Sequence, residues 1–105
     1  MSSIQTKTKP NQSNQLVISF NSPEMAKVAK AISSKTRRLI LTILNEKALD
    51  VSRISKEIGQ TEANISAQIK ILQKANLVKC KYEPGGHGVR KICFNAYDKI
   101  EIELF

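Results

Sequence analysis

Histidine and cysteine are nearly missing from this chain. One His (His87) and two Cys (Cys80 and Cys93) stand among 105 residues. Ser/His/Asp or Cys/His catalytic sets and His-based metal sites therefore have almost nothing to draw on. Two cysteines are also too few for a disulfide framework or a four-ligand zinc site. No apolar run reaches the roughly eighteen residues that a membrane-spanning helix needs. The first ten residues (MSSIQTKTKP) lack the apolar stretch of a secretory signal, so a cytoplasmic protein with no membrane partner is expected. Acidic side chains are scarce as well. Nine Asp plus Glu face seventeen Lys plus Arg, a formal charge of +8. That excess favours a polyanionic partner, either nucleic acid or an anionic surface. The length fits one small domain, and a large enzyme with a deep cofactor cleft is not expected. No catalytic residue, metal or cofactor is assigned.

Hydrophobic residues make up 41% of the chain, enough for one core. Residues 1–15 are Ser, Gln, Asn, Thr and Lys with few apolar side chains, the composition of a disordered arm. Leu16 to Phe20 reads as a short strand or an apolar anchor. Ser22 as N-cap and Pro23 at the first helical position open a helix over 23–32, with Met25, Val28, Ala29 and Ile32 at helical spacing. Leu39, Ile40, Ile43 and Leu44 form the stripe of a second helix over roughly 35–46. Asp50 caps a third with Val51, Ile54 and Ile58 on its apolar face, closed by Gly59. Thr61 caps a fourth, faced by Ile65, Ile69 and Leu72 and ending near Ala75-Asn76. The period then changes. Val78–Glu83, the glycine-rich Pro84–Gly88 and Val89–Phe94 read as strand, turn, strand. The tail at 99–105 alternates Ile100, Ile102 and Leu104 with charges, the pattern of a short strand, with a final helical turn as the alternative. The organisation expected is an arm at 1–15, a domain at 16–98 and a strand or dimerisation tail at 99–105.

Two helices joined by about three residues around Gly59-Gln60 have helix-turn-helix spacing. With Ile65, Ile69 and Leu72 buried, the second helix leaves Glu62, Ala63, Asn64, Ser66, Ala67, Gln68 and Lys70 outward. Asn and Gln can pair bidentately with adenine, and Ala can touch a thymine methyl. Thr61 at the cap and Arg53 and Lys56 on the preceding helix complete the helical part of a candidate DNA surface. The hairpin behind it makes the arrangement a winged helix. Lys79, Lys81, Arg90 and Lys91 lie on the wing, with His87 at its tip, where cations reach phosphates or a minor groove. The fold class is thus mainly α with a small antiparallel β-hairpin. The blander reading is a helical hairpin and a solvated β-hairpin kept soluble by lysines. Asp50 and Glu62 sit at helix starts, where negative charge is favourable, and Glu57 reads as solvated surface, so no catalytic carboxylate pair is assigned.

The stretch Ile32-Ser33-Ser34-Lys35-Thr36-Arg37-Arg38-Leu39-Ile40-Leu41 resembles the L-S-x-x-T-R-x-x-I-L opening of ArsR-like winged-helix regulators. Ile54 to Gly59 resembles that family's L-A-x-x-L-G. Asn64 to Leu72 resembles its T-V-S-x-H-L-K-x-L, and Ala75-Asn76-Leu77-Val78 its A-G-L-V. The resemblance covers about residues 23–96. It implies a homodimeric transcription regulator with one recognition helix in each half-site. One departure matters: metal-sensing members carry Cys-x-Cys at the start of the third helix, where this chain has Leu49-Asp50-Val51-Ser52. The arsenic or cadmium sensor site is therefore rejected. A metal site from Cys80, Cys93 and His87 is set aside, because strand and turn positions explain all three.

The reading that results is a sequence-specific regulator of double-stranded DNA acting as a homodimer. The alternatives are a non-specific architectural DNA- or RNA-binding winged helix and a protein-interaction module. The dimer surface expected is Leu16, Ile18, Phe20, Met25, Val28, Ile32, Ile100, Ile102 and Leu104. Alternatively, the 16–20 and 100–105 segments pair with each other within one chain. On the wing, burying Ile92 and Phe94 on one face predicts Cys80 near Ile92 around a three- or five-residue loop. Cys80 then points inward and Cys93 outward. Two free thiols result, with Cys93 the faster to alkylate. The alternatives are a pairing centred between Gly86 and His87, which opposes Cys80 and Cys93 and invites a cross-strand disulfide of roughly 3 kcal/mol, and an intersubunit bond through Cys93.

Overall fold

In chain order the elements are β1 (Gln15–Ser19), α1 (Pro23–Ile32), α2 (Lys35–Leu44), β2 (Leu49–Asp50), α3 (Val51–Ile58), α4 (Glu62–Lys74), β3 (Val78–Gly85), β4 (Gly88–Asn95) and β5 (Lys99–Glu103). They come from a computed structural model that describes residues 14–86 and 88–105. Most of the expected arm, residues 1–13, and His87 lie outside the described residues.

The helices start where short polar side chains can satisfy their first N–H groups. Ser34, Asp50 and Thr61 precede α2, α3 and α4 in extended conformation. Each accepts a hydrogen bond from the backbone N–H three residues on, at 3.2, 2.8 and 3.1 Å. Each such cap contributes about 1 kcal/mol. α1 starts differently: the Ser22 hydroxyl donates to the Ser19 carbonyl at 2.8 Å and caps nothing, leaving Pro23 to set the first turn. Gly59 ends α3 at φ 79°, and the N–H groups of Gly59 and Gln60 both reach the Ser55 carbonyl. That left-handed residue reverses the chain at once and sets the short turn into α4. Asn76 does the same after α4 at φ 61°, with Leu77 N–H donating to the Leu72 carbonyl at 3.0 Å.

The helices and the wing share one core. Ile40 and Leu44 of α2, Ile54 of α3, and Ile65, Ile69 and Leu72 of α4 meet Leu49, Val78 and Cys93 of the sheet. α1 contributes Val28 and Ala31, while Ala29 faces solvent and Met25 and Ile32 are half-buried. α2 stops at Leu44, and Leu39, placed on its apolar stripe by spacing, is 41% exposed. Among the described residues no helix is long and apolar enough to cross a membrane.

Two sheets complete the fold. The wing is three-stranded, in the order β2-β4-β3 and antiparallel throughout. β2 is two residues long and had no periodic signal in the sequence. The expected wing register is corrected. Cys80 pairs with Cys93 and Lys81 with Ile92, and Gly85 faces Gly88, so two residues lie between the paired ends. The expectation assumed one buried face. In the structure Leu49 of β2 pairs with Cys93 and draws it into the core at 0% exposure, while Ile92 on the opposite face is also covered, at 8%. Phe94 is only half-buried. The second sheet joins the two ends of the domain: β1 and β5 pair in parallel, Leu16 beside Ile100 and Ile18 beside Ile102. The tail is thus a strand, paired within the chain. Asn14 and Gln15 belong to this sheet and not to an arm, since Asn14 Nδ2 donates to the Ala96 carbonyl at 2.7 Å and Gln15 pairs with Lys99.

This packing is open to two tests. Ile54→Ala or Ile69→Ala leaves a void among α3, α4 and α2 and is expected to cost about 2–5 kcal/mol in denaturant unfolding. The thiols invert their expected order of reactivity. Cys93 is buried, which pushes its pKa up to about 12, with the Cys80 sulfur adding to the shift. In the reduced, folded protein Cys80 is expected to alkylate first and Cys93 only on unfolding, read by mass after timed labelling at pH 8. Because burial raises the folded pKa of Cys93 above its ordinary value of 9.0, its contribution to stability is complete below pH 9 and lost as pH rises toward 12.

Candidate nucleic-acid interface

With Ile65, Ile69 and Leu72 fully covered, α4 turns its opposite face outward. Thr61, Glu62, Ala63, Asn64, Ala67 and Lys70 are exposed, and Ser66 and Gln68 are half-buried. All the α4 residues expected at the surface are therefore on it, with Gln68 the deepest of the polar set.

The amides of this face are held in a directed chain. Arg37 Nη1 donates to Gln68 Oε1 at 2.6 Å, Gln68 Nε2 to Asn64 Oδ1 at 3.1 Å, and Asn64 Nδ2 to Gln60 Oε1. Gln60 Nε2 then donates to Thr36 Oγ1 at 3.1 Å, returning the chain to α2. Arg37 only donates, so its partner must present an oxygen. That choice turns the Gln68 nitrogen toward Asn64, and the same logic orients Asn64 toward Gln60. Each link polarises the next, which stiffens the whole run. Asn64 keeps one free N–H and a free lone pair on Oδ1 at an exposed position. Gln68, half-buried, likewise keeps one N–H and one lone pair on Oε1.

Arg37 is the residue that sequence reasoning missed. It is 9% exposed, and besides Gln68 its guanidinium reaches two carbonyls at the end of α1: Nε donates to Ala31 O at 2.9 Å and Nη2 to Lys30 O at 2.8 Å. Arg38 adds a bond from Nη1 to Ile32 O at 2.7 Å. Cations are favourable at a helix C-terminus, where unpaired carbonyls concentrate negative potential. Thr36 and Arg37 both lie within the motif shared with ArsR-like regulators, but nothing local in the sequence marks Arg37 as the support of a helix thirty residues on.

The cations split into two groups. Arg53 and Lys56 on α3 and Lys70 on α4 are exposed. On the wing, Lys81 Nζ lies 3.3 Å from Glu83, and Arg90 Nη1 lies 3.4 Å from Asp50 Oδ2. Lys91 is half-buried opposite Tyr82. Asp50 thus serves twice, one oxygen capping α3 and the other tethering the wing. The tether brings Arg90 beside Arg53 and Lys47 around one shallow depression. Exposed pairs of this kind are worth at most about 1 kcal/mol, so a phosphate can displace the carboxylates. His87 lies outside the described residues.

The residues expected between subunits separate by depth. Ile18 and Val28 are buried inside the chain, and Leu16, Met25, Ile32 and Ile100 are half-buried. Phe20, Ile102 and Leu104 stay outward, joined by Val17 and Phe105. Among the described residues, no group of three or more His, Cys, Asp or Glu is placed to hold a metal.

Residues 34–79 match the profile of the bacterial regulatory protein, arsR family. Among solved structures, the chain is similar to the homodimeric winged helix-turn-helix DNA-binding domain of Mb0332 from Mycobacterium bovis, described as a possible ArsR-family transcriptional regulator. Identity is 27%, the TM-score is 0.63, and the match spans 70% of this chain and 64% of that one, less than two thirds of its length. It is similar to HlyU from Vibrio cholerae at 20% identity and a TM-score of 0.64, over 74% of this chain and 80% of that one. It is also similar to the cadmium metal-sensor CMTR from Mycobacterium tuberculosis at 27% identity and a TM-score of 0.55, over 70% and 72% of the two chains. A comparison with curated proteins finds no match. The profile match falls on the very helices that carry the amide chain, and the fold is a winged helix-turn-helix similar to that of ArsR-family regulators.

Proposed function

We propose that this protein is a transcription regulator acting as a homodimer that reads DNA sequence, with α4 in the major groove of each half-site and the wing on the flanking backbone or minor groove. The observation that carries the reading is the outward face of α4. It offers small side chains at Ala63 and Ala67 and pre-oriented amides at Asn64 and Gln68, where a mere phosphate clamp would place more Lys and Arg. Asn64 is the main reader, because of the two amides, each with a donor and an acceptor to spare, it is the exposed one. A donor and an acceptor are the pair needed to meet an adenine edge. Gln68, deeper on the same face, reads in second place.

Lys81, Arg90, Lys91 and His87 supply phosphate contacts from the wing, together with Arg53, Lys56 and Lys70 from the helices. The net charge of +8 supports the polyanionic partner. For the dimer, support comes from the apolar side chains left outward on β1, β5 and the last residues, and from the homodimeric state given for Mb0332.

Selection of bound sequences from random DNA, followed by affinity measurements on the best site, tests this reading. The expected result is a two-fold symmetric site. Asn64→Ala is expected to cost roughly 1–3 kcal/mol on that site and to relax preference at one position, and Gln68→Ala less. Lys81→Ala and Arg90→Ala are expected to weaken every sequence about equally. Each is also expected to lower the salt slope by about one unit for every phosphate it leaves without a cation. Preference altered by the wing changes and untouched by the helix changes contradicts the groove assignment. Sedimentation of the free protein as a monomer at micromolar concentration contradicts the dimer.

A further inference from the structure

We propose that Cys80 and Cys93 are a redox-active pair that closes as an intrachain disulfide across the stem of the wing. They are directly opposed on β3 and β4, and their Sγ atoms lie 2.7 Å apart as free thiols. The parity of the hairpin suits such a bond. Gly85 and Gly88 close the loop, and the closing pair of a two-residue hairpin is a hydrogen-bonded one. Pairs alternate from there, which makes 80–93 a non-hydrogen-bonded pair. Opposed Cα atoms in such pairs sit about 4.5 Å apart, inside the span that a disulfide bridges without backbone movement.

The surroundings give the two sulfurs different tasks. Cys93 is fully covered, within the core cluster that includes Leu49 and Val78. Cys80 is half-buried and open to a small reagent. The Cys80 thiolate, having lost its proton to solvent, attacks one sulfur of a low-molecular-weight disulfide. The small S–S bond breaks, and the first small thiolate leaves and takes up a proton. The mixed disulfide on Cys80 is then attacked by Cys93. Its proton passes to the departing second thiolate, and the Cys80–Cys93 bond forms. In sum, two protein thiols are oxidised to one disulfide, and one small disulfide is reduced to two thiols.

Closure has a structural effect that does not depend on what the wing binds. A slip of one residue between β3 and β4 turns every side chain to the other face. Toward the tip, among the described residues, the Arg90–Asp50 pair is a weak tether against such a slip. A covalent link at the stem fixes the faces of Lys81, Arg90 and Lys91 together.

The test uses the full chain, folded and reduced, then incubated with oxidised glutathione, unfolded and alkylated for intact mass. The expected product is a monomer lighter by about two mass units that takes up no label and gains two labels after reduction. Its thermal midpoint is expected to lie on the order of 10 °C above that of the reduced chain. Cys93→Ala is expected to trap one glutathione on Cys80, whereas Cys80→Ser leaves Cys93 unmodified while folded. Two labelled thiols in the treated wild-type chain, or a disulfide-linked dimer, overturns the proposal. An unchanged midpoint overturns the stapling effect.

Discussion

The buried guanidinium of Arg37 is the joint on which the helix-turn-helix and its outward amide face rest. It sits among three helices, and its three acceptors are neutral oxygens: two carbonyls at the end of α1 and the amide of Gln68 on α4. The arrangement is stable because each side supplies what the other lacks. The last carbonyls of a helix have no partner within it, and a buried cation needs acceptors in place of water. Removing the side chain leaves the Ala31 carbonyl and the Gln68 amide oxygen short of a donor, each a cost of about 1–3 kcal/mol, while the Lys30 carbonyl keeps its bonds from Ser33. Because an arginine cannot accept, the joint also has a direction, and that direction passes along α4 through Gln68 and Asn64 to Gln60. A structural requirement inside the core thereby sets which atoms the outer face shows.

The wing is fixed by a similar economy. Asp50 caps α3 with one oxygen and holds Arg90 with the other, so the start of the helix-turn-helix and the wing are registered to each other. Cys93 carries the same linkage into the core through Leu49 of β2. The polar tether is weak and exposed, and the apolar one is buried. The wing's position is therefore secured at its stem, while its cations remain free to exchange carboxylates for phosphates.

Local chemistry made most of the helical part legible from sequence. Asp50, Gly59 and Thr61 do what their residue types suggest, and Ile54, Ile65, Ile69 and Leu72 lie where helical spacing puts them. What could not be read is non-local. β2 is two residues long, too short for a period, yet it decides which face of β4 is buried. The wing register turned on one residue of loop length, and the reading erred because it gave the sheet a single buried face. The parallel partners β1 and β5 stand about eighty residues apart, and the sequence reading held their pairing only as an alternative to a dimer. Asn64 and Gln68 were identified as surface amides, but their order of importance depends on Arg37, whose contacts no local pattern announces.

Arg37, itself buried, sets the orientation of the Gln68 and Asn64 amides from inside the fold. A double-mutant cycle of Arg37→Lys with Gln68→Ala, read as affinity for the selected site and for its single-base variants, tests this most directly. Lysine keeps the charge and loses the planar fork that addresses several acceptors at once. With helical content unchanged, Arg37→Lys is expected to relax discrimination at the same base positions as Gln68→Ala, and the double variant to lose little more than either single one. Wild-type discrimination in Arg37→Lys, or losses that simply add, would contradict the account.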